Sequence, residues 1–156
     1  ATGWGGLKAS ADNNPDILVI DAAPHDWLFP KLSLAVHHGG AGTTAATVRA
    51  GIPSVVIPFF GDQPFWAWRL EQNGVAPKML KRKTLTAEKL ADAINMASMP
   101  DMQIAATELA GKISNENGVQ SAIALLTQWG LLTPPDINDV PVLNDDAAYP
   151  KTATTV

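Results

Sequence analysis

A doubly wound α/β domain, a Rossmann-like parallel sheet flanked by helices, is the architecture this sequence predicts. Three observations carry that reading. Apolar runs are short and continuous rather than alternating, as in strands buried on both faces. Helical patterns fall between and after these runs. Capping residues stand where strands would give way to helices and helices to turns.

The runs are Ile17–Ile20 (ILVI), Leu32–Val36 (LSLAV) and Ser54–Ile57 (SVVI). The first helix is expected over Thr43–Ala50, closed by Gly51 at its C-cap and followed by Pro53. The second, Gln63–Asn73, takes Pro64 in its first turn, where a missing N–H costs nothing, and stops at Gly74. Ala87–Ala97 follows Thr86 as N-cap, with Glu88 in its first turn. Asp101–Asn117 and Val119–Trp129 keep apolar residues at helical spacing, Ile104, Ala105, Leu109, Ala110 and Ile113 in one and Ala122, Ile123, Leu126 and Trp129 in the other.

Composition narrows the class. The chain has 156 residues, 46% of them hydrophobic and 17% charged, against about 25% charged in a typical domain. That is enough apolar material for one core and too little charge for disorder. The net charge of −4 argues against a nucleic-acid module. There is no cysteine, so disulfides and thiolate metal sites are excluded, and no His/Asp/Glu cluster has metal-ligand spacing. No apolar run approaches the ~20 residues that span a bilayer. The expected organisation is a domain over residues 1–131 and, over 132–156, an acidic, proline-containing tail with four Asp, one Lys and four Pro. The first residue is Ala, which suggests a piece of a longer protein.

In doubly wound folds ligands bind beyond the carboxyl ends of the strands. Those positions hold DAAPHDWLFPKLS, HHGGAGTT and PFFGDQPFW. All three histidines, His25, His37 and His38, lie in the first two, and Asp62 and Gln63 in the third. Gly39, Gly40 and Gly42 allow tight turning and close approach to a ligand. The helix that follows would aim free N–H groups and its positive dipole end at an anion, phosphate above all. Thr43 and Thr44 can cap that helix, bond phosphate, or both. Adjacent residues of an extended chain face opposite sides, so one of His37 and His38 can meet a ligand while the other packs. A carboxylate beside an amide, Asp62–Gln63, suits vicinal hydroxyls as well as it suits a helix cap. Phosphate at one strand end and sugar hydroxyls at the next describe a nucleotide-sugar. Two other readings stay open. Gly40-Ala41-Gly42-Thr43-Thr44-Ala45 also fits the dinucleotide fingerprint, with Asp62 about 20 residues on. The chain could also be a non-catalytic binding or assembly module. Trp66 and Trp68 read as packing residues, and Lys81, Arg82 and Lys83 as a solvated basic run.

Residues 23–66, APHDWLFPKLSLAVHHGGAGTTAATVRAGIPSVVIPFFGDQPFW, closely resemble the donor-binding signature of sterol glucosyltransferases. TLTAEKLADAI and the early GWGGL are similar to the same family's carboxyl-terminal domain. The resemblance implies the C-terminal half of a GT-B enzyme that is inverting and uses UDP-glucose as donor substrate, with no cofactor and no metal. His38, Ala41, Gly42 and Thr43 match positions that hold the diphosphate, with Gly40 shaping the loop. Ala23 and His25 match the uridine side, and Asp62 and Gln63 the pair that grips glucose hydroxyls. His37 is not a ligand in that pattern. Related plant enzymes carry a uracil-stacking Trp where this chain has Ala22, a ribose-binding Glu where it has Ala46, and a bulkier residue where it has Pro64.

The family's acceptor domain and catalytic base lie outside these 156 residues, so no catalytic residue is assigned here. The resemblance implies a sterol or other lipid-like acceptor. The chain alone is expected to bind nucleotide-sugar weakly and to transfer nothing. Its partners are expected to be the nucleotide-sugar and the amino-terminal domain, with no nucleic acid, self-association through the uncovered domain face, and membrane contact through the absent region. The expected location is cytoplasmic, with peripheral membrane contact in the full-length protein.

Overall fold

The computed structural model describes residues 15–20 and 22–132. Within them the chain forms α1 (His25–Leu28) and a 3-10 turn over Phe29–Lys31, then β1 (Ala35–His37), α2 (Ala41–Ala50), β2 (Ser54–Val56) and α3 (Gln63–Gln72). A second 3-10 turn (Arg82–Thr84), α4 (Ala87–Ala97), α5 (Pro100–Ile113) and α6 (Gly118–Gln128) follow.

The strands are parallel, with Ala35 opposite Ser54, Val36 opposite Val55 and His37 opposite Val56. A parallel pair requires a crossover, and α2 supplies it. Residues 75–80 then run beside β2: Ser54 N–H donates to Val75 O (3.0 Å) and Leu80 N–H to Val56 O (2.9 Å). Three successive segments therefore advance side by side, and their carboxyl ends open on one edge.

β2 is buried along its whole length because helices cover both of its faces. Val56 packs with Ala67 and Leu70 of α3 and Ala106 of α5. Val55, one residue earlier and so on the other face, packs with Ala93 and Ala97 of α4. A third cluster joins Phe29 to Ala35 and Ile52, with Ala46 and Ala50 of α2 against it. This sandwich of helix, sheet and helix is the expected α/β class.

The ends of the helices have local causes. Gly51 closes α2 at φ +69° with its N–H bonded to Thr47 O and Val48 O, a left-handed C-cap. Thr86 caps α4 by accepting from Lys89 N–H. Pro64 sits in the first turn of α3. The helix expected over Asp101–Asn117 begins one residue earlier and ends at Ile113. The chain divides into two compact units, residues 1–116 and 117–156. In the second, Asn117 Oδ1 accepts from Gln120 N–H and starts α6. Residues 133–156, nearly all of the expected tail, lie outside the described residues, as do GWGGL and Asp21.

Two expectations need correction. Ile17–Ile20 is not a strand. Leu18 is 86% exposed, and the run pairs with no ladder among the described residues. This run is exposed, and a strand exists only where a neighbour completes its hydrogen bonds. The loop after it also holds structure of its own, because α1 and the adjoining turn fold Phe29 onto β1.

Candidate functional site

The three loops at the carboxyl edge differ in how firmly they are built. The loop after β1 is the most constrained. Gly39 takes φ +87°, a conformation that side chains resist, and a Cβ there would stand 2.8 Å from Val56 Cγ1 and 3.1 Å from Gln63 O. This glycine is required because the glycine loop and the start of α3 are in contact at that point. His38 and Asp62 each sit one residue from the contact, about 3.8 Å of chain.

The two histidines divide as extended backbone dictates. His37 turns inward, and its Nδ1 accepts Gly39 N–H at 3.0 Å. That bond places the ring proton on Nε2, which is buried without a partner among the described residues. Burial, reinforced by the charges of His38 and His25, lowers its pKa from 6.5 to about 4. His37 is therefore a neutral structural residue near pH 7. His38 is exposed. Its ring occupies the space a Gly40 side chain would need, since a Cβ at Gly40 would lie 2.5 Å from His38 Nε2.

α2 begins two residues earlier than the sequence suggests. Its N-cap is Gly40, with no side-chain cap, so Ala41, Gly42 and Thr43 form its first turn. Thr43 and Thr44 do not cap it. Thr44 is buried, and its hydroxyl has no partner among the described residues. A helix capped by glycine keeps its first N–H groups available for a ligand. A Cβ on Gly42 would meet nothing within 4 Å among the described residues, so they leave the space over that turn open.

Asp62 and Gln63 start α3 and do different work. Gln63 is only 5% exposed, and its Oε1 accepts from Phe59 N–H (2.7 Å) and Phe60 N–H (3.1 Å). The amide thereby shapes the PFFGD loop, leaving its Nε2 as the group that can donate outward. Asp62 does not cap the helix with its side chain. Its Oδ2 instead accepts from Trp66 Nε1 at 2.7 Å, one helical turn on. Trp66 was expected only to pack. The i, i+4 spacing of Asp and Trp was the signal that identifies its bond. Trp68 remains 46% exposed.

Ala23 is half-buried just before α1, and His25 opens that helix. The His25 ring stacks on Phe29, with centroids 4.5 Å apart. His25, Asp26 and Pro30 line a cavity of about 240 Å³ with Ala46, Arg49 and Ala50 of α2. The first loop thus meets the flank of α2, whereas Asp62 and Gln63 stand on its N-terminal side through Gly39. The basic run is exposed, as expected of a solvated segment. Lys81, Arg82 and Lys83 line a larger cavity of about 740 Å³ beside Phe59 and Pro64.

Comparison with known proteins bears on the family and the fold. Residues 7–124 match the family described as erythromycin biosynthesis protein CIII-like, C-terminal domain. The chain is 43% identical over 122 residues to sterol 3-beta-glucosyltransferase UGT80B1 of Arabidopsis thaliana, covering 78% of this chain and 20% of that protein. It is 47% identical over 120 residues to a sterol 3-beta-glucosyltransferase of Saccharomyces cerevisiae, covering 76% and 10%. Among solved structures, the glycotransferase of kitacinnamycin superposes with a TM-score of 0.67 at 26% identity, over 73% of this chain and 30% of that one. The spinosyn forosaminyltransferase SpnP, at 19% identity, shares the fold with a TM-score of 0.70 over 79% and 33%. The chain spans a fifth or less of the two sterol glucosyltransferases it matches. With a parallel sheet between two helix layers and a glycine-capped helix beside an Asp–Gln pair, this chain belongs to the erythromycin CIII-like carboxyl-terminal domain family, the C-terminal domain of GT-B glycosyltransferases.

Proposed function

We propose that this domain binds UDP-glucose for an inverting transfer to a sterol or another lipid-like alcohol. The observation that carries the reading is the contact of Gly39 with Gln63. It joins an anion-binding helix start to a carboxylate–amide pair, so one ligand with a diphosphate and a hexose can touch both. The sterol glucosyltransferases of Arabidopsis and yeast support the sugar and the acceptor class.

In the proposed reaction an acceptor hydroxyl loses its proton to a base supplied by another part of the protein. Its oxygen attacks the anomeric carbon from the face opposite the phosphate. The bond from that carbon to the phosphate oxygen breaks, and UDP leaves with the electron pair. The N–H groups of Ala41, Gly42 and Thr43 and the imidazole of His38 meet the charge that develops on the diphosphate. Asp62, held by Trp66, and the Gln63 Nε2 fix the hexose hydroxyls and thereby the angle of attack. Ala23 and His25 border the nucleoside, where Ala22 and Ala46 make the contacts smaller than in the plant enzymes.

Calorimetric titration of the chain with UDP, UDP-glucose and NAD tests the assignment. UDP and UDP-glucose bind and NAD does not. His38→Ala weakens UDP about tenfold or more, the loss of one charge-assisted hydrogen bond. In the intact enzyme the same change lowers turnover ~10²–10³-fold. Binding of NAD in place of UDP, or undiminished UDP affinity in His38→Ala, overturns the reading.

A further inference from the structure

Two buried polar atoms near the glycine loop have no partner among the described residues: His37 Nε2 and Thr44 Oγ1. They belong to successive elements, β1 and α2, and one face of the sheet brings them together. His37 stands opposite Val56, and Ala35 opposite Ser54, so these four side chains point to one side. α2 covers that side. Ala46 and Ala50 pack on the cluster that holds Ala35, and Val48 packs on the cluster that holds Val56. Ser54 Oγ donates to Thr47 Oγ1 at 3.1 Å. Thr44 lies one turn before Val48 on the same helix face, toward the end of β1 where His37 sits.

The two atoms are chemically complementary. His37 Nδ1 accepts from Gly39 N–H, which leaves Nε2 a donor. A helical threonine can turn its hydroxyl back to a carbonyl three or four residues earlier. Thr47 does so to Thr44 O at 2.8 Å, and Thr107 to Gln103 O at 3.0 Å. Thr44 makes no such bond, although it is only 5% exposed, so its oxygen can accept from elsewhere. Buried polar groups cost free energy until they are satisfied, and in protein interiors ordered water commonly satisfies them.

We propose that one ordered water between β1 and α2 accepts from His37 Nε2–H and donates to Thr44 Oγ1, and that these two are positioning residues for the donor. The proposal rests on the donor-binding reading above and deepens it. The water ties the imidazole to the start of α2. Through Nδ1 the same ring holds the N–H of Gly39, whose φ of +87° sets the course of the glycine loop. The loop and the helix start are thereby braced from the sheet side. A loop held less firmly spends part of its time in forms that cannot bind, and apparent affinity falls by that fraction.

The test uses the 156-residue chain and its Thr44→Val and Thr44→Ser variants. Valine keeps the shape and removes the hydroxyl, and serine restores it. A crystal structure of the parent shows a water about 2.7–3.2 Å from both atoms. Nitrogen-resolved NMR shows the His37 proton on Nε2 and protected from exchange with solvent, a protection that Thr44→Val loses and Thr44→Ser keeps. Calorimetry gives UDP weakened about three- to fivefold in Thr44→Val, the most that one net hydrogen bond allows, and restored in Thr44→Ser. A direct bond between the two side chains, a His37 proton on Nδ1, or equal exchange in the parent and Thr44→Val overturns the water bridge. Unchanged UDP affinity in Thr44→Val, or a serine variant as weak as the valine one, overturns the positioning role. If Thr44→Val does not fold, Thr44→Cys, whose thiol is a weak acceptor, takes its place in each measurement. A parent chain that does not bind UDP removes the donor reading and the positioning role with it, while the crystal structure and the Nε2–H signal still decide the water.

Discussion

Gln63 is predicted to hold two duties that substitution can separate. Its Oε1 accepts two backbone N–H groups, from Phe59 and Phe60, while the residue is 5% exposed. Gln63→Ala removes both bonds. Each is worth about 1 kcal/mol net, and stranding a buried donor would cost more. Phe59 and Phe60 are themselves exposed, so water reaches the freed N–H groups and the lower figure applies. The expected loss is about 2 kcal/mol, together with the UDP-glucose increment over UDP. Gln63→Glu retains the Oε1 acceptor for both N–H groups, and charge-assisted bonds offset the burial of the carboxylate. Its stability stays within about 1 kcal/mol of the parent, yet the outward N–H donor is gone. Urea unfolding followed by tryptophan fluorescence gives the stabilities, and paired titrations with UDP and UDP-glucose give the sugar increment. An alanine variant as stable as the parent refutes the loop-shaping role. A glutamate variant with the full sugar increment refutes the donor role.

The remaining predictions concern the neighbouring residues. Gly39→Ala costs about 3 kcal/mol in urea unfolding, because positive φ and overpacking against Val56 and the Gln63 carbonyl add. Gly40→Ala, at φ −63°, displaces only the exposed His38 ring. It leaves stability within about 1 kcal/mol but weakens UDP about tenfold in calorimetry. Because the folded-state pKa of His37 lies near 4, below its ordinary 6.5, its contribution is complete above pH 6.5 and is lost as pH falls toward 4. Stability measured at pH 5 should be about 2 kcal/mol below that at pH 7.5, and His37→Asn should flatten the curve. Trp66→Phe frees Asp62 Oδ2 and reduces the UDP-glucose increment several-fold while UDP affinity holds; an unchanged increment would show that the indole does not position Asp62.

Local sequence determined most of the scaffold. A continuous apolar run with glycine and proline punctuation suffices to specify β2, and Gly51, Thr86 and Pro64 mark helix ends because capping depends on nearby residues. The His–Gly–Gly and Asp–Gln motifs pointed to one edge of the sheet for the same reason. Tertiary structure decided what depends on distant atoms. It left Ile17–Ile20 outside the ladder, since a strand is defined by its partner. It turned the Thr44 hydroxyl inward, where it has no partner among the described residues, and the Gln63 oxygen toward its own loop, where packing allows two bonds. It brought Lys81, Arg82 and Lys83 beside Phe59, a meeting that chain periodicity does not encode and that only the course of residues 75–80 alongside β2 produces.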